Sequence, residues 1–188
     1  NSGYVLFNNV EGGGHGNLEG GGHTERLLPG WQVSVLGEVL HHVWGADSPV
    51  QPLSRPGGEG LPPSAQGVVP GVEGCIFHDR RLSVLVSVPE GVRKFDLTLY
   101  SLSGDLLQRR QEIRINGDPG SAIEIGQETP TGPFGGPGPE GGPGHFTTWR
   151  IETGGARRFL VEVENPPGHI NAVLSGLFID LPDDGEGR

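Results

Sequence analysis

The chain has a single cysteine, Cys75, no methionine, and one lysine, Lys94, among its 13 basic residues. One cysteine excludes an internal disulfide. Cys75 sits beside Ile76 and Phe77 in GCIFHDRRL, which reads as a buried apolar thiol. No apolar run reaches 18 residues, so no helical membrane span is predicted. Positive charge is scarce: the formal net charge is −10, which argues against nucleic acid or an anionic membrane surface as partner. Asn-x-Ser/Thr sequons are absent. A start at Asn1 without methionine reads as a mature chain after signal-peptide removal, so the expected location is extracellular or at the cell surface.

Glycine and proline fill the space left: 35 Gly and 17 Pro make up more than a quarter of the 188 residues. Long helices are thereby excluded as the main architecture, because Gly costs about 1 and Pro about 3 kcal/mol at a helix-interior position. Full disorder is excluded by the 33% hydrophobic content, which clusters in alternating runs. Leu82, Val84, Val86 and Val88 share one face of 81–88, and Phe95, Leu97 and Leu99 one face of 94–102. The turn Pro89-Glu90-Gly91 between them predicts a hairpin. Further strands are predicted at 3–10, 31–36, around 39–44, at the end of 106–115, at 122–125, 147–152 and 159–164, and as one long strand over 171–181. About eight strands with no convincing helix predict an all-β fold, an antiparallel jelly-roll-like β-sandwich with long Gly/Pro-rich loops.

The expected organisation is an N-terminal strand (1–10), a Gly-rich tether (11–30), one sandwich domain (31–182) with insertions at 45–74 and 126–146, and an acidic tail (183–188). The tether holds a short repeat, Glu11-Gly-Gly-Gly-His15 returning as Glu19-Gly-Gly-Gly-His23. Gly at 132, 135, 138, 141 and 144 sets out five Gly-X-Y triplets, a period suited to polyproline II backbone.

The runs FDLTLYSLSGD (95–105), FTTWRI (146–151), RRFLVEV (157–163) and above all NAVLSGLFIDLP (171–182) are similar to a β-sandwich module of secreted bacterial proteins. The chain thus resembles the galactose-binding or carbohydrate-binding jelly rolls. That resemblance implies a module without catalytic activity of its own, appended to hydrolases, adhesins and surface proteins, and a glycan as ligand. The Gly-His repeat, the long loop 45–74 and the triplets depart from the family pattern, and 101–105 lacks the aromatic that often marks a family sugar site.

Candidate chemistry is sparse. Trp44, next to the loop, and Tyr100, on the face shared with Asp96 and Thr98, are the candidate exposed rings for stacking on sugar CH faces; Trp31 and Trp149 are read as core. His15 and His23 are the candidate metal ligands, with Glu11, Glu19, His41, His42 and His145 as additions by type. No cofactor is expected. A structural calcium is the exception weighed, with Asp47, Asp79, Asp118, Asp180 and Asp183 as ligands by type, although no DxDxDG run is present. No nucleophile elbow occurs, so an enzyme is not expected. An N-terminal strand on a Gly-rich tether also suits addition to a neighbouring copy through Tyr4, Val5, Leu6 and Phe7. The expected partners are therefore a glycan or other copies of the chain. The expected function is surface or matrix binding, the alternative a subunit of an extracellular filament or sheath.

Overall fold

A computed structural model describes residues 2–7, 16–17, 24–43, 74–102, 111–116, 124–128, 144–168 and 170–182. Among these residues every regular element is a strand. In chain order they are β1 (Ser2–Leu6), β2 (Gly16–Asn17), β3 (Thr24–Arg26), β4 (Gln32–Leu36), β5 (Leu40–Val43), β6 (Gly74–His78), β7 (Arg81–Ser87), β8 (Lys94–Leu102), β9 (Glu112–Asn116), β10 (Glu124–Glu128), β11 (Gly144–Glu152), β12 (Arg158–Glu164), β13 (Ala172–Leu174) and β14 (Gly176–Asp180).

The strands form three antiparallel sheets. Sheet A runs β11-β8-β14-β1-β3, sheet C runs β10-β9-β12-β7-β4, and the smaller sheet B runs β13-β6-β5-β2. Period-two alternation supplies one apolar face to each large sheet. Phe95, Leu97, Leu99, Leu177, Ile179, Val5, Trp149 and Ile151 of sheet A meet Leu82, Val84, Val86, Ile113, Ile115, Phe159, Val161 and Val163 of sheet C in one core. Trp31 and Trp149 belong to it, and Trp31 meets Phe95 edge-on at 5.1 Å. Antiparallel sheets sharing one core make this a β-sandwich.

Two local expectations change. The hairpin predicted for 81–102 is not one: β7 pairs with β12 and β4, whereas β8 pairs with β11 and β14. Residues 88–93 carry the chain from one sheet to the other, tied by Val88 N–H to Arg157 O and Thr153 N–H to Arg93 O, both at 2.8 Å. Both strands do have one buried face, and those faces meet across the core instead of lying side by side. The closing run 171–181 is likewise two strands. β13 pairs with β6 in sheet B, and after Ser175 the chain continues as β14 in sheet A.

Side chains hold that switch. Val173 N–H donates to Gln111 Oε1, Gln111 Nε2 donates to Ser101 Oγ at 3.0 Å, and Ser101 Oγ donates to Val173 O at 2.9 Å. Gln111 and Ser101 are both buried, so they serve main-chain groups of β13 that water cannot reach. Ser175 N–H then donates to Tyr100 O and Ser175 O accepts from Phe7 N–H, which starts the sheet A ladder on both sides of β14.

β1 lies between β14 and β3 within its own chain, pairing Ser2–Leu6 with Asp180–Gly176. β2 and β3 lie within the stretch 11–30 read as a tether, and β10 and β11 overlap the ends of the predicted insertion 126–146.

The outer face of sheet A corrects the expectation for Tyr100. Its ring is 2% exposed, although Asp96 and Thr98 share its face. Residues distant in sequence make that face apolar: Tyr100 stands opposite Phe146 and Gly176, and Gly176 opposite Leu6. The Tyr100 and Phe146 rings stack at 4.2 Å, and Phe178 lies 6.0 Å from Phe146. Gly176 leaves room for this layer, since a Cβ there would come within 3.1 Å of Leu6 and 3.2 Å of Phe178. Tyr100 is thus a structural ring, not an exposed stacking platform.

Two outcomes are expected. Gln111→Leu keeps the volume but strands Val173 N–H and should lower unfolding stability by about 1–3 kcal/mol in urea denaturation. Burial pushes the Tyr100 phenol well above its ordinary value of 10.0. The unfolded chain releases that proton near the ordinary value while the folded chain keeps it, so stability is full below about pH 10 and falls above it. Tyr100→Phe should flatten that alkaline loss in a pH series of thermal melts.

Candidate functional site

The candidate site is an open groove of about 630 Å³ where sheets B and C come together. Its lining is Leu36, Gly37 and Glu38 after β4, His78, Arg80 and Arg81 at the β6–β7 turn, Ser83 on β7, and Glu164 and Asn165 at the end of β12. Period-two alternation places Ser83 and Glu164 on the outer face of sheet C, opposite the core-facing Leu82 and Val163.

The turn from β6 to β7 is only Asp79-Arg80, and side chains fix it from both sides. His78 Nδ1 accepts the N–H groups of Arg80 at 3.0 Å and Arg81 at 3.2 Å. Asn165 donates its main-chain N–H to Arg80 O at 2.8 Å and its Nδ2 to Asp79 O at 3.0 Å. Four hydrogen bonds from His78 and Asn165 thus tie the turn at Asp79 O, Arg80 N–H, Arg80 O and Arg81 N–H. With Nδ1 accepting, the neutral His78 ring carries its proton on Nε2. In that tautomer it offers a donor and no free lone pair for proton abstraction.

Gly37 closes the other wall with φ of +79°. A Cβ at that position would stand in open space, so it is backbone conformation and not crowding that favours glycine there. Next to it Leu36 is 42% exposed, an apolar patch on an otherwise polar rim.

Charge is organised around Arg81. Its guanidinium meets Glu162 at 2.9 Å and Glu164 at 3.6 Å; the Glu162 side chain is 11% exposed and that of Arg81 52%. A carboxylate so far out of water is costly unless paired. Arg81 therefore has two parts to play, holding Glu162 from below and presenting donors to the groove from above. On sheet A, Arg150 grips Asp96 with two bonds of 2.8 and 2.9 Å, which raises the Arg150 pKa further, through those hydrogen bonds first and Asp96's charge second.

The residues selected from sequence alone do not converge here. Trp44, His15 and His23 lie outside the described residues. Tyr100 is buried on the far sheet, and Val5, Leu6 and Phe7 are buried within their own chain, with Tyr4 half-buried beside them. Asp79 is exposed and Asp180 buried, and no group of three or more His, Cys, Asp or Glu side chains able to hold a metal occurs among the described residues. The groove residues themselves went unselected. The polar run His78-Asp79-Arg80-Arg81 between two apolar stretches was the available signal, but nothing in linear spacing joins it to Glu38 or Glu164.

No protein-family model and no curated protein matches the chain. Among solved structures it is similar to a carbohydrate-binding module described by its specific mannan recognition, TmCBM27, at 15% identity over 57% of this chain and 70% of that one, with a TM-score of 0.33. It is similar to the K1 cleaved adhesin domain of Lys-gingipain from Porphyromonas gingivalis W83 at 12% identity over 88% and 96%, with a TM-score of 0.39. It is also similar to TmCBM61, solved with β-1,4-galactotriose, at 12% identity over 81% and 90%, with a TM-score of 0.33. These are β-sandwich neighbours at low similarity, and no residue role is taken from them.

The turn should be the sensitive part of the groove. Asn165→Ala removes the Nδ2 bond to Asp79 O, and His78→Ala removes the acceptor for two N–H groups. Each should cost about 0.5–1.5 kcal/mol in urea unfolding and speed hydrogen exchange at the Arg80 and Arg81 amides.

Proposed function

We propose that this chain is a non-catalytic extracellular β-sandwich module that binds glycan in the groove between the β4–β5 and β6–β7 turns. The observation that carries the reading is the Asp79-Arg80 turn, hydrogen-bonded by His78 and Asn165, within a groove of ligand size. Sugar recognition needs hydrogen-bonding groups of both kinds, held still so that little entropy is lost on binding. The lining supplies them: guanidinium donors from Arg80 and Arg81, carboxylate acceptors from Glu38 and Glu164, the Ser83 hydroxyl, and the apolar Leu36 for a CH face.

The same geometry argues against acid–base catalysis through His78, whose Nδ1 is committed to the turn. Trp44, outside the described residues, stays a proposed stacking ring by residue type alone. Calcium stays a proposal by residue type alone.

A glycan array with the purified chain, followed by calorimetry on the retained sugar, tests this. Arg80→Ala, Glu164→Gln and Trp44→Ala should each weaken binding by about tenfold or more, equivalent to about 1.4 kcal/mol. An array with no retained glycan, or affinity unmoved by all three substitutions, would sink the proposal.

A further inference from the structure

We propose that two copies of this chain join edge to edge through β4, extending sheet C across both molecules. The inference does not depend on the sugar reading. Among the described residues, the two sandwich sheets have four edges: β11 and β3 in sheet A, β10 and β4 in sheet C. An open edge offers unpaired main-chain groups to any passing strand, and proteins guard such edges with charge or proline. Three of the four follow that rule: β3 contains Glu25 and Arg26, β10 contains Glu124 and Glu128, and β11 contains Arg150 and Glu152. β4 is Gln-Val-Ser-Val-Leu, with neither.

The strand is also self-complementary. A twofold axis at Ser34 sets Ser34 opposite Ser34 of the second copy, Val33 opposite Val35, and Gln32 opposite Leu36. No charges oppose each other in that register. Val33 and Val35 face the core yet are only half-buried, because nothing described covers their outer side. The second copy's valines would cover them and continue the apolar layer. On the outer face, Leu36 at 42% exposure gains Gln32 of the second copy as neighbour. That match selects a second copy over an unrelated peptide, which would have no reason to present the reversed Val-Ser-Val pattern in register.

The pairing has a consequence for the groove. Leu36 lines it, so the incoming Gln32 places an amide, one donor group and one acceptor, at its rim. Two grooves then open on the same face of one continuous sheet, an arrangement that raises avidity for a repeating ligand without any new contact in either groove. Each chain carries a formal charge of −10, so association should strengthen as salt screens the repulsion.

The test uses the full chain. Sedimentation velocity over a concentration series at low and high salt should show a monomer–dimer equilibrium that shifts toward dimer with salt. Ser34→Lys, at an exposed position, should raise the dimer dissociation constant at least tenfold. Ser34→Cys should form a disulfide-linked dimer under mild oxidation, because directly opposed residues are the nearest cross-strand pair and need only a small approach to reach disulfide geometry. Gln32→Cys should not, since the two Gln32 positions are separated by four residues along the paired strands. A monomer at every concentration, a dimer indifferent to Ser34→Lys, or equal crosslinking at positions 32 and 34 would each overturn the proposal.

Discussion

The fold depends on one hand-over. At Ser175 the chain leaves sheet B and enters the middle of sheet A, and Ser175, Ser101 and Gln111 are all buried there. A strand that changes sheets loses its ladder on at least one side. The lost bonds are replaced by Gln111 and Ser101, which serve Val173, and by Tyr100 and Phe7, which serve Ser175. An unserved buried amide costs about as much as a good fraction of a small domain's whole stability. The side-chain amide of Gln111 is therefore a main-chain substitute that ties β13 to β8, while the Ser175 main-chain bonds to Tyr100 and Phe7 join β14 to β8 and β1.

The same economy appears at the groove. His78 and Asn165 hydrogen-bond the main chain of a two-residue turn, so a polar segment is tied down at the surface. Arg81 neutralises a carboxylate that the strand has drawn out of water and still keeps half of its side chain exposed. Structural and binding demands meet in the same side chains, which is why the groove can be both polar and tied down.

Much of the sheet layer was legible in the sequence. The alternations at 82–88, 95–99 and 159–163 state which side chains are buried, because each strand must set one face against the other sheet. They do not state which strand lies alongside. A turn of the kind at Pro89-Glu90-Gly91 can close a hairpin or bridge two sheets, and the difference lies in partners 60 or more residues away, Arg157 and Thr153. Tyr100 looked exposed for the same reason. Its neighbours along the chain, Asp96 and Thr98, are polar, but across the sheet it stands opposite Phe146 and Gly176, with Phe178 beyond Phe146 and Leu6 beyond Gly176.

By itself the sequence determined the all-β class, the buried positions of the main strands, and the burial of Cys75, Trp31 and Trp149. These follow from local periodicity and composition, which act over a few residues. Tertiary structure alone decided the order of strands, the sheet switch at Ser175, the aromatic layer outside sheet A, the groove that gathers residues 36 to 165, and the uncharged edge at β4. Each of those is a meeting of segments far apart in the chain, and no local pattern encodes which distant segment a strand will face.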